Sequence, residues 1–378
     1  SAVVTPSREA YDVVVVGGGL AGCAMGTLLS RTGRNVLVLE RKRYPVHKLC
    51  GEFLSPEAQD VFDQLGVLNE VKAAGAVPIH RAALTAPSGA RMDTDLPGQA
   101  LGLSRYLLDP ILFEAVRQAG GEALDGVPVR SVEREGDQHV VSWNGGSIRA
   151  DAVVGAWGKR SNVDGAMERA FVGRTSPLVG FKAHFEGDDV GDWIELHAFD
   201  GGYCGMSHVE NGRVNVCWIS DERALKAAGG SPDAMLDGPM RANPHLSARL
   251  DRMERVVPRF EAVAQVSFRR KGMFEQGTMM VGDTAAMITP FCGDGMAMAL
   301  HSATVAAPLL AAHLDGDLSQ ADLETAYTSD WNRRYALRLR LGRGLHEAFS
   351  RPWGANALVR LGNALPNVAR WVAVHTRG

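Results

Sequence analysis

An α/β chain interrupted by a mostly antiparallel sheet and finished by helices is the fold class this sequence predicts, on three observations. Val13–Val16 is a β-branched run that continues into Gly17-Gly18-Gly19-Leu20-Ala21-Gly22 and then into small apolar residues as far as Arg31. That order describes a strand buried on both faces, a tight turn and a helix. From Leu178 to Ile219 the period changes to that of strands. Beyond Ser319 the pattern is helical, with breaks at Pro352, Gly354 and Pro366.

The elements follow in order. Residues 1–10 are polar and predicted to lack regular structure; Asn35–Leu39 is a second buried strand ending at Glu40, which completes a βαβ unit of about 30 residues. Ser55-Pro56 reads as a capping serine with proline in the first helical position, and Gly66 stops that helix. Asp109-Pro110 repeats the device ahead of Ile111, Leu112, Ala115 and Val116, with Gly120-Gly121 as terminator. Ala152–Gly155 is another short buried strand. In the inserted block, Val179–Phe185 and Trp193–Phe199 are strands and Tyr203–Ser220 is a hairpin turning at Asn211-Gly212. A two-residue turn there sets Trp218 opposite Gly205 and Val209 opposite Val214, and lets Glu210 pair with Arg213. Residues 221–255 read as helical, Met279–Val281 as a strand and Met296–His313 as a helix. Ser319, with Asp322 three residues on, caps a helix through Tyr335, beyond which Gly342 and Gly344 weaken the helical pattern.

A chain of 378 residues, 46% hydrophobic and 22% charged, has ample material for a core, which excludes disorder and disulfide scaffolds. Glycine is about 11% against a usual ~7%, and many glycines fall in strand-to-helix turns. A net charge of −3 gives a nucleic-acid partner no electrostatic support. The charge is uneven, however. Nine arginines and the single acid Glu347 lie between Arg333 and Gly378, giving +8 there and leaving −11 for the rest. Cys23, Cys50, Cys204, Cys217 and Cys292 are odd in number and show no CxxC spacing, which points to a reducing, cytoplasmic setting without a metal site. Two uncharged stretches, Val13–Leu29 and Gly295–Leu314, suit a buried strand-turn-helix and a core helix better than membrane spans.

Gly17-x-Gly19-x-x-Gly22 lies between a strand and a helix, the context in which it binds a dinucleotide. The first glycine allows the turn, the second lets a diphosphate approach the backbone, and the third packs helix on strand. Glu40, 18 residues after Gly22, can accept from both ribose hydroxyls of an adenosine and would repel a 2′-phosphate, favouring FAD or NAD over NADP at this site.

Two further segments are Ser104-Arg105-Tyr106-Leu107-Leu108-Asp109 and Gly282-Asp283-Thr284-Ala285-Ala286, the latter followed by Pro290-Phe291-Cys292-Gly293-Asp294-Gly295-Met296. With them the chain resembles the FAD-dependent p-hydroxybenzoate hydroxylase-like superfamily. Tyr44-Pro45-Val46-His47-Lys48-Leu49-Cys50-Gly51-Glu52 is similar to the Pro…Lys-x-Cys-Gly stretch of its geranylgeranyl-reductase-related flavoproteins. The resemblance implies a Rossmann-like FAD-binding domain formed by residues 1–75, 101–170 and 273–318. A substrate domain would be formed by 76–100 and 171–272, with C-terminal helices from 319 to 378. It also implies that Glu40 holds the adenosine ribose, that Arg105 reaches the diphosphate or ribityl region, and that the backbone near Val129 lies by the adenine. Asp283 would accept from a ribityl hydroxyl, and Gly293 to Met296 would lie along the isoalloxazine. Leu20, Ala21, Arg41, Cys50, Gly51, Gly282, Pro290 and Gly295 complete the implied cofactor set. One departure concerns nicotinamide docking: the hydroxylases' Asp-Gly is replaced here by Gly155-Ala156-Trp157-Gly158. The tryptophan-rich signature of tryptophan halogenases is also absent.

What the resemblance implies is an FAD-dependent oxidoreductase fed by NAD(P)H or a partner reductase and acting on an apolar aromatic, polyketide or isoprenoid molecule. Hydroxylation is the first expectation, reduction of a carbon–carbon double bond the second, and a prenyl carrier without catalysis the alternative of another class. On the substrate side His184, Tyr203 and Cys292 are the candidates, each with a structural alternative. The basic C-terminal segment reads either as a solvated face on the FAD domain or as a peripheral membrane dock.

Overall fold

The structure, a computed structural model, describes residues 5–377. The valine run occupies the centre of a parallel sheet, where both faces are covered. Strand Ala10–Val16 pairs in parallel with Val36–Leu39 on one side and Gly146–Gly155 on the other, with Val13 opposite Val36 and Ala152. This eight-stranded sheet runs Phe274–Glu275, Thr278–Met280, Gly146–Gly155, Ala10–Val16, Val36–Leu39, Glu122–Leu124. Val129–Glu135 and Gln138–Trp143 extend it as antiparallel strands. Helix Leu20–Ser30 packs on helices Arg105–Gln118 and Gly295–Leu314. Among the described residues only Gly295–Leu314 is long and apolar enough to cross a membrane. It is a core helix, wedged against Leu20–Ser30, Glu57–Leu65 and Gln320–Phe349.

The second sheet has nine strands in the order Glu254–Arg255, Leu178–Glu186, Val214–Asp221, Gly202–His208, Trp193–Phe199, Val77–Thr85, Arg91–Gly102, Phe53–Leu54, with Glu261–Val266 also pairing Leu178–Glu186. It is antiparallel except where Trp193–Phe199 runs parallel to Val77–Thr85. The chain enters it first at Phe53–Leu54. The Val77–Gly102 hairpin was hidden in sequence because Pro78 and Pro97 punctuate its strands.

Several local expectations are corrected. The hairpin 202–221 places Cys204 opposite Trp218 and His208 opposite Val214, one residue off the register that a two-residue turn would give. Glu210 is the cause: it is buried, and its carboxylate accepts from Ser104 N at 2.7 Å, so it leaves the ladder and lengthens the loop. Arg213 reaches Glu186 at 3.6 Å instead of Glu210. Asp109 is no cap. The helix starts at Arg105 behind Ser104, whose hydroxyl accepts from Leu107 N, and Pro110 lies inside it. Ser55 contributes only its carbonyl, to Ala58 N, and the helix begins at Glu57. The helix capped by Ser319 does not stop near Tyr335 but runs from Gln320 to Phe349. Its buried stripe is Leu323, Tyr327, Trp331, Tyr335, Leu339, Gly342, His346 and Phe349. Gly342 is what lets it pass the Pro290–Cys292 turn, since a Cβ there would lie 3.0 Å from Cys292 Sγ and 3.1 Å from Thr289 Oγ1. Gly354 lies within helix Pro352–Ala364, which Pro352 begins and Pro366 separates from Pro366–Arg377.

Buried charge in the second sheet sets an acid limit. The Glu195 carboxylate receives both nitrogens of Arg249, Nε and Nη2, at 2.9 Å and lies 3.1 Å from His197 Nε2. Burial alone would raise its pKa, but the hydrogen bonds from His197 and Arg249 outweigh burial and lower it to about 2. A carboxyl depressed on folding stabilises above its unfolded pKa, and that contribution fades as pH falls through the folded value. Relative to an ordinary 4.5, Glu195 is worth about 3 kcal/mol at neutral pH. Glu195→Gln is therefore expected to lower the urea midpoint at pH 7, with the wild-type and variant curves converging between pH 4.5 and about 2. Parallel curves across that range would contradict the assignment.

Candidate active site

The glycine turn separates backbone necessity from ligand space. Gly17 has φ +112, and a Cβ there would lie 2.0 Å from Ala156 O; one on Gly22 would lie 1.9 Å from Gly17 O. Both are needed for the backbone to pack. A Cβ on Gly19 would meet only the tips of Arg105 and Lys48, at 3.5 and 3.8 Å. Gly19 also precedes the first turn of the Leu20–Ser30 helix, so backbone N–H groups and two cations converge on one open spot. That is the chemistry of a diphosphate cradle.

Glu40, 7% exposed, is held at the end of its strand. One oxygen accepts from Gly18 N at 3.1 Å and the other from Lys42 N at 2.6 Å. Carboxylate oxygens retain further lone pairs for ribose hydroxyls. Arg105 is locked by Asp109 through Nε–Oδ1 at 2.6 Å and Nη2–Oδ2 at 3.0 Å, and Lys48 Nζ adds a contact to Oδ2 at 2.7 Å. Burial would raise the Asp109 pKa, yet Arg105 and then Lys48 hold it below the usual carboxylate range. Lys48 also donates to the Tyr44 hydroxyl at 2.8 Å, which in turn donates to Gly18 O. The turn is thus braced by a buried network built from three separate stretches of chain.

One continuous cavity of ≈ 610 Å³ joins these groups to the second sheet. Its dinucleotide half is lined by Gly17, Gly19, Leu20, Ala21, Glu40, Arg41, Arg105 and Val129. Cys50, Gly51, Asp283, Pro290, Gly293, Gly295 and Met296 continue the wall toward the N-terminus of the Gly295–Leu314 helix. Gly22 and Gly282 shape the turns behind it without lining it. On the Asp283 side, Lys271 Nζ donates to the carbonyls of Lys159 and Asp283 at 2.5 and 2.9 Å. Burial lowers the Lys271 pKa to about 8, against the pull of Asp283 and Asp164. The substrate half is apolar, with Leu84, Met92, Ile194, Leu196, Ile219, Val266 and Met287 facing it.

Of the substrate-side candidates, Tyr203 and Cys292 line this half and His184 does not. Tyr203 is a buried wall residue whose hydroxyl accepts from Phe291 N at 3.1 Å and meets His346 Nδ1 at 2.9 Å. His184 is 1% exposed and bonded through Nε2 to Glu52 Oε1 at 2.5 Å, a carboxylate shared with Lys182 Nζ at 3.1 Å. It stands behind the wall, bonded to Glu52, which does line the cavity. Trp157, in the segment Gly155-Ala156-Trp157-Gly158, lines the cavity and donates through Nε1 to Asp164 at 2.9 Å. Burial drives up the thiols of Cys204 and Cys217, the latter to about 12, so neither is a thiolate at neutral pH. Among the described residues no group of three or more His, Cys, Asp or Glu is placed to hold a metal ion.

Sequence reasoning missed Lys48 and Asp109 as site residues, and missed the part played by helices Pro352–Ala364 and Pro366–Arg377. Leu358, Leu361, Leu365, Val368 and Val372 from those helices roof the apolar half. The signal available for them was the three- and four-residue spacing of these apolar residues, which suits one apolar helical face.

A cradle that only glycine leaves open, two braced cations over it and a buried carboxylate at the next strand end fit FAD, and the chain belongs to the FAD binding domain family. That family matches residues 10–336, and the fold is that of the p-hydroxybenzoate hydroxylase-like flavoproteins. The protein is an FAD-dependent oxidoreductase of that group. It is 26% identical to menaquinone reductase of Mycobacterium tuberculosis over 332 residues, covering 80% of this chain and 77% of the relative. It is 27% identical to digeranylgeranylglycerophospholipid reductase 2 of Methanopyrus kandleri over 353 residues, covering 86% and 83%. Among solved structures, a myxobacterial chondrochloren halogenase superposes with a TM-score of 0.80 at 20% identity, covering 98% of this chain and 91% of that one. Monooxygenases occur among the similar proteins as well.

Proposed function

We propose that the protein hydroxylates an apolar, electron-rich small molecule of aromatic, polyketide or isoprenoid type, with FAD supplying the two-electron chemistry. The single observation behind the substrate class is the run of apolar side chains that the second sheet gives the cavity, Leu84, Met92, Ile194, Leu196, Ile219 and Val266. Glu40, Arg105 and Lys48 bind and orient the cofactor. With the isoalloxazine along Gly293 to Met296, as the family resemblance implies, the helix N-terminus at Gly295 would favour negative charge on it. Apolar walls from Leu196, Ile219 and Met287 exclude water from the reacting carbon. One oxygen atom of dioxygen is inserted into a C–H bond of the substrate to give C–OH, and the other leaves as water with two protons. The two electrons come from NAD(P)H or a partner reductase.

Reduction of a carbon–carbon double bond is the second reading, supported by the two reductase relatives, by the Lys48–Glu52 segment and by the lack of an Asp-Gly after strand Gly146–Gly155. Here a hydride and a proton add across the alkene and no oxygen is consumed. Photoreduced protein mixed with lipophilic phenols and alkenes, in air and without it, separates the two by product mass. A gain of one oxygen atom that requires air supports hydroxylation. A gain of two hydrogens under anaerobic conditions overturns it in favour of reduction.

A further inference from the structure

We infer that the cavity opens onto an anionic lipid surface, and that the two C-terminal helices form the dock. The inference builds on the apolar-substrate reading, but it rests on a separate feature of the molecule. Leu361, Leu365 and Val368 line the cavity and are nevertheless 56%, 48% and 48% exposed. A residue that is both wall and surface marks a mouth. It therefore lies at the junction of helices Pro352–Ala364 and Pro366–Arg377. On the same two helices Trp353, Trp371 and Val374 are 75%, 52% and 54% exposed. Trp353, Ala357, Leu361 and Ala364 recur at helical spacing, so one outward face of the first helix is apolar along its length.

The charge says what covers this face. From Arg351 to the end of the chain there is no Asp or Glu, while Arg351, Arg360 and Arg370 are exposed. An apolar helical face carrying tryptophan, with arginines and no acid on its own helices, is the composition of a helix lying in a bilayer interface, with the cations attracted to acidic headgroups. Arg333 and Arg334, which the linear sequence also offered, sit on the long helix roughly 24 Å along its axis from Phe349 and pair with Asp330. They are not part of the mouth. A lipophilic substrate could then pass from the bilayer into the apolar half without crossing water.

The test is sedimentation of the FAD-loaded full chain with vesicles of phosphatidylcholine alone or mixed with phosphatidylglycerol, at low and high salt. Binding to the anionic vesicles, weakened by salt, is expected. Arg360→Glu/Arg370→Glu and Trp353→Ser/Trp371→Ser should each weaken it at least tenfold, while Arg333→Glu/Arg334→Glu should leave it within twofold. All positions are exposed, and retained FAD absorbance with an unchanged melting temperature verifies folding. Failure of the wild-type chain to bind anionic vesicles overturns the inference. So does equal loss in all three variants, which would mean general charge rather than this face. A stable dimer that the tryptophan variant dissociates, with no vesicle binding, would assign the face to a second copy and overturn it too. Vesicle binding needs no turnover. A chain that docks through this face yet leaves lipophilic compounds unmodified would defeat the substrate reading and leave the dock standing.

Discussion

Asp109→Ala should destabilise the protein by about 3–5 kcal/mol, because it strands two buried cations that now neutralise one carboxylate. Asp109 is fully buried, with Arg105 and Lys48 side chains only 13% and 18% exposed around it. All partners lie within the chain, so the loss is expected in protein stripped of FAD as well as in the loaded form, read as a drop in the urea midpoint. FAD retention should fall at least tenfold in parallel, since neither cation keeps its orientation over Gly19. The pH dependence has a definite sign. A carboxylate held below its usual range contributes fully at neutral pH and loses its contribution on acidification, so wild type and variant should approach each other in acid. A variant within 1 kcal/mol of wild type at pH 7 would show that the network is ornamental.

The glycine turn gives an effect of comparable size with a built-in contrast. Gly17→Ala places a methyl group 2.0 Å from the Ala156 carbonyl at φ +112, and only backbone could move aside. The expected outcome is loss of folded protein. Gly19→Ala meets two flexible side-chain tips at 3.5 and 3.8 Å, so the fold should survive with a near-normal melting temperature. Its FAD affinity should nevertheless drop tenfold or more, because the methyl group occupies the space assigned to the diphosphate. Equal FAD affinity in Gly19→Ala and wild type would remove the cradle assignment and leave a purely structural turn.

The two variants also show how far sequence reasoning reaches. Glu40 and the glycines act within a single βαβ unit, so spacing alone placed them, and the cavity does run past Glu40, Arg105 and Asp283. Asp109 was misread because Asp-Pro is a common helix start; the true start, Ser104, lies one turn earlier with its own cap. The Asn211-Gly212 turn was recognised correctly as a turn. Its register slipped because Glu210 has a partner, Ser104 N, more than a hundred residues away. Gly342 argued against a helix locally, yet the helix persists because that glycine fits against Thr289 and Cys292 and the aromatic stripe on either side is buried.

By itself the sequence determined the α/β class, the inserted sheet and a dinucleotide-binding turn, and its resemblance to a flavoprotein family implied FAD. The first three follow from short-range patterns: β-branched runs, glycine where backbone passes backbone, and a carboxylate at a strand end. Only the tertiary structure decided which cation is braced by which acid, that His184 is bonded to Glu52 behind the cavity wall, and where the apolar cavity reaches the surface. Those outcomes depend on contacts between segments far apart in the chain, such as Lys48 with Asp109, His184 with Glu52, and Leu361 on a helix laid across a distant sheet. Burial energy is gained only when such segments meet, and no local pattern records which ones will.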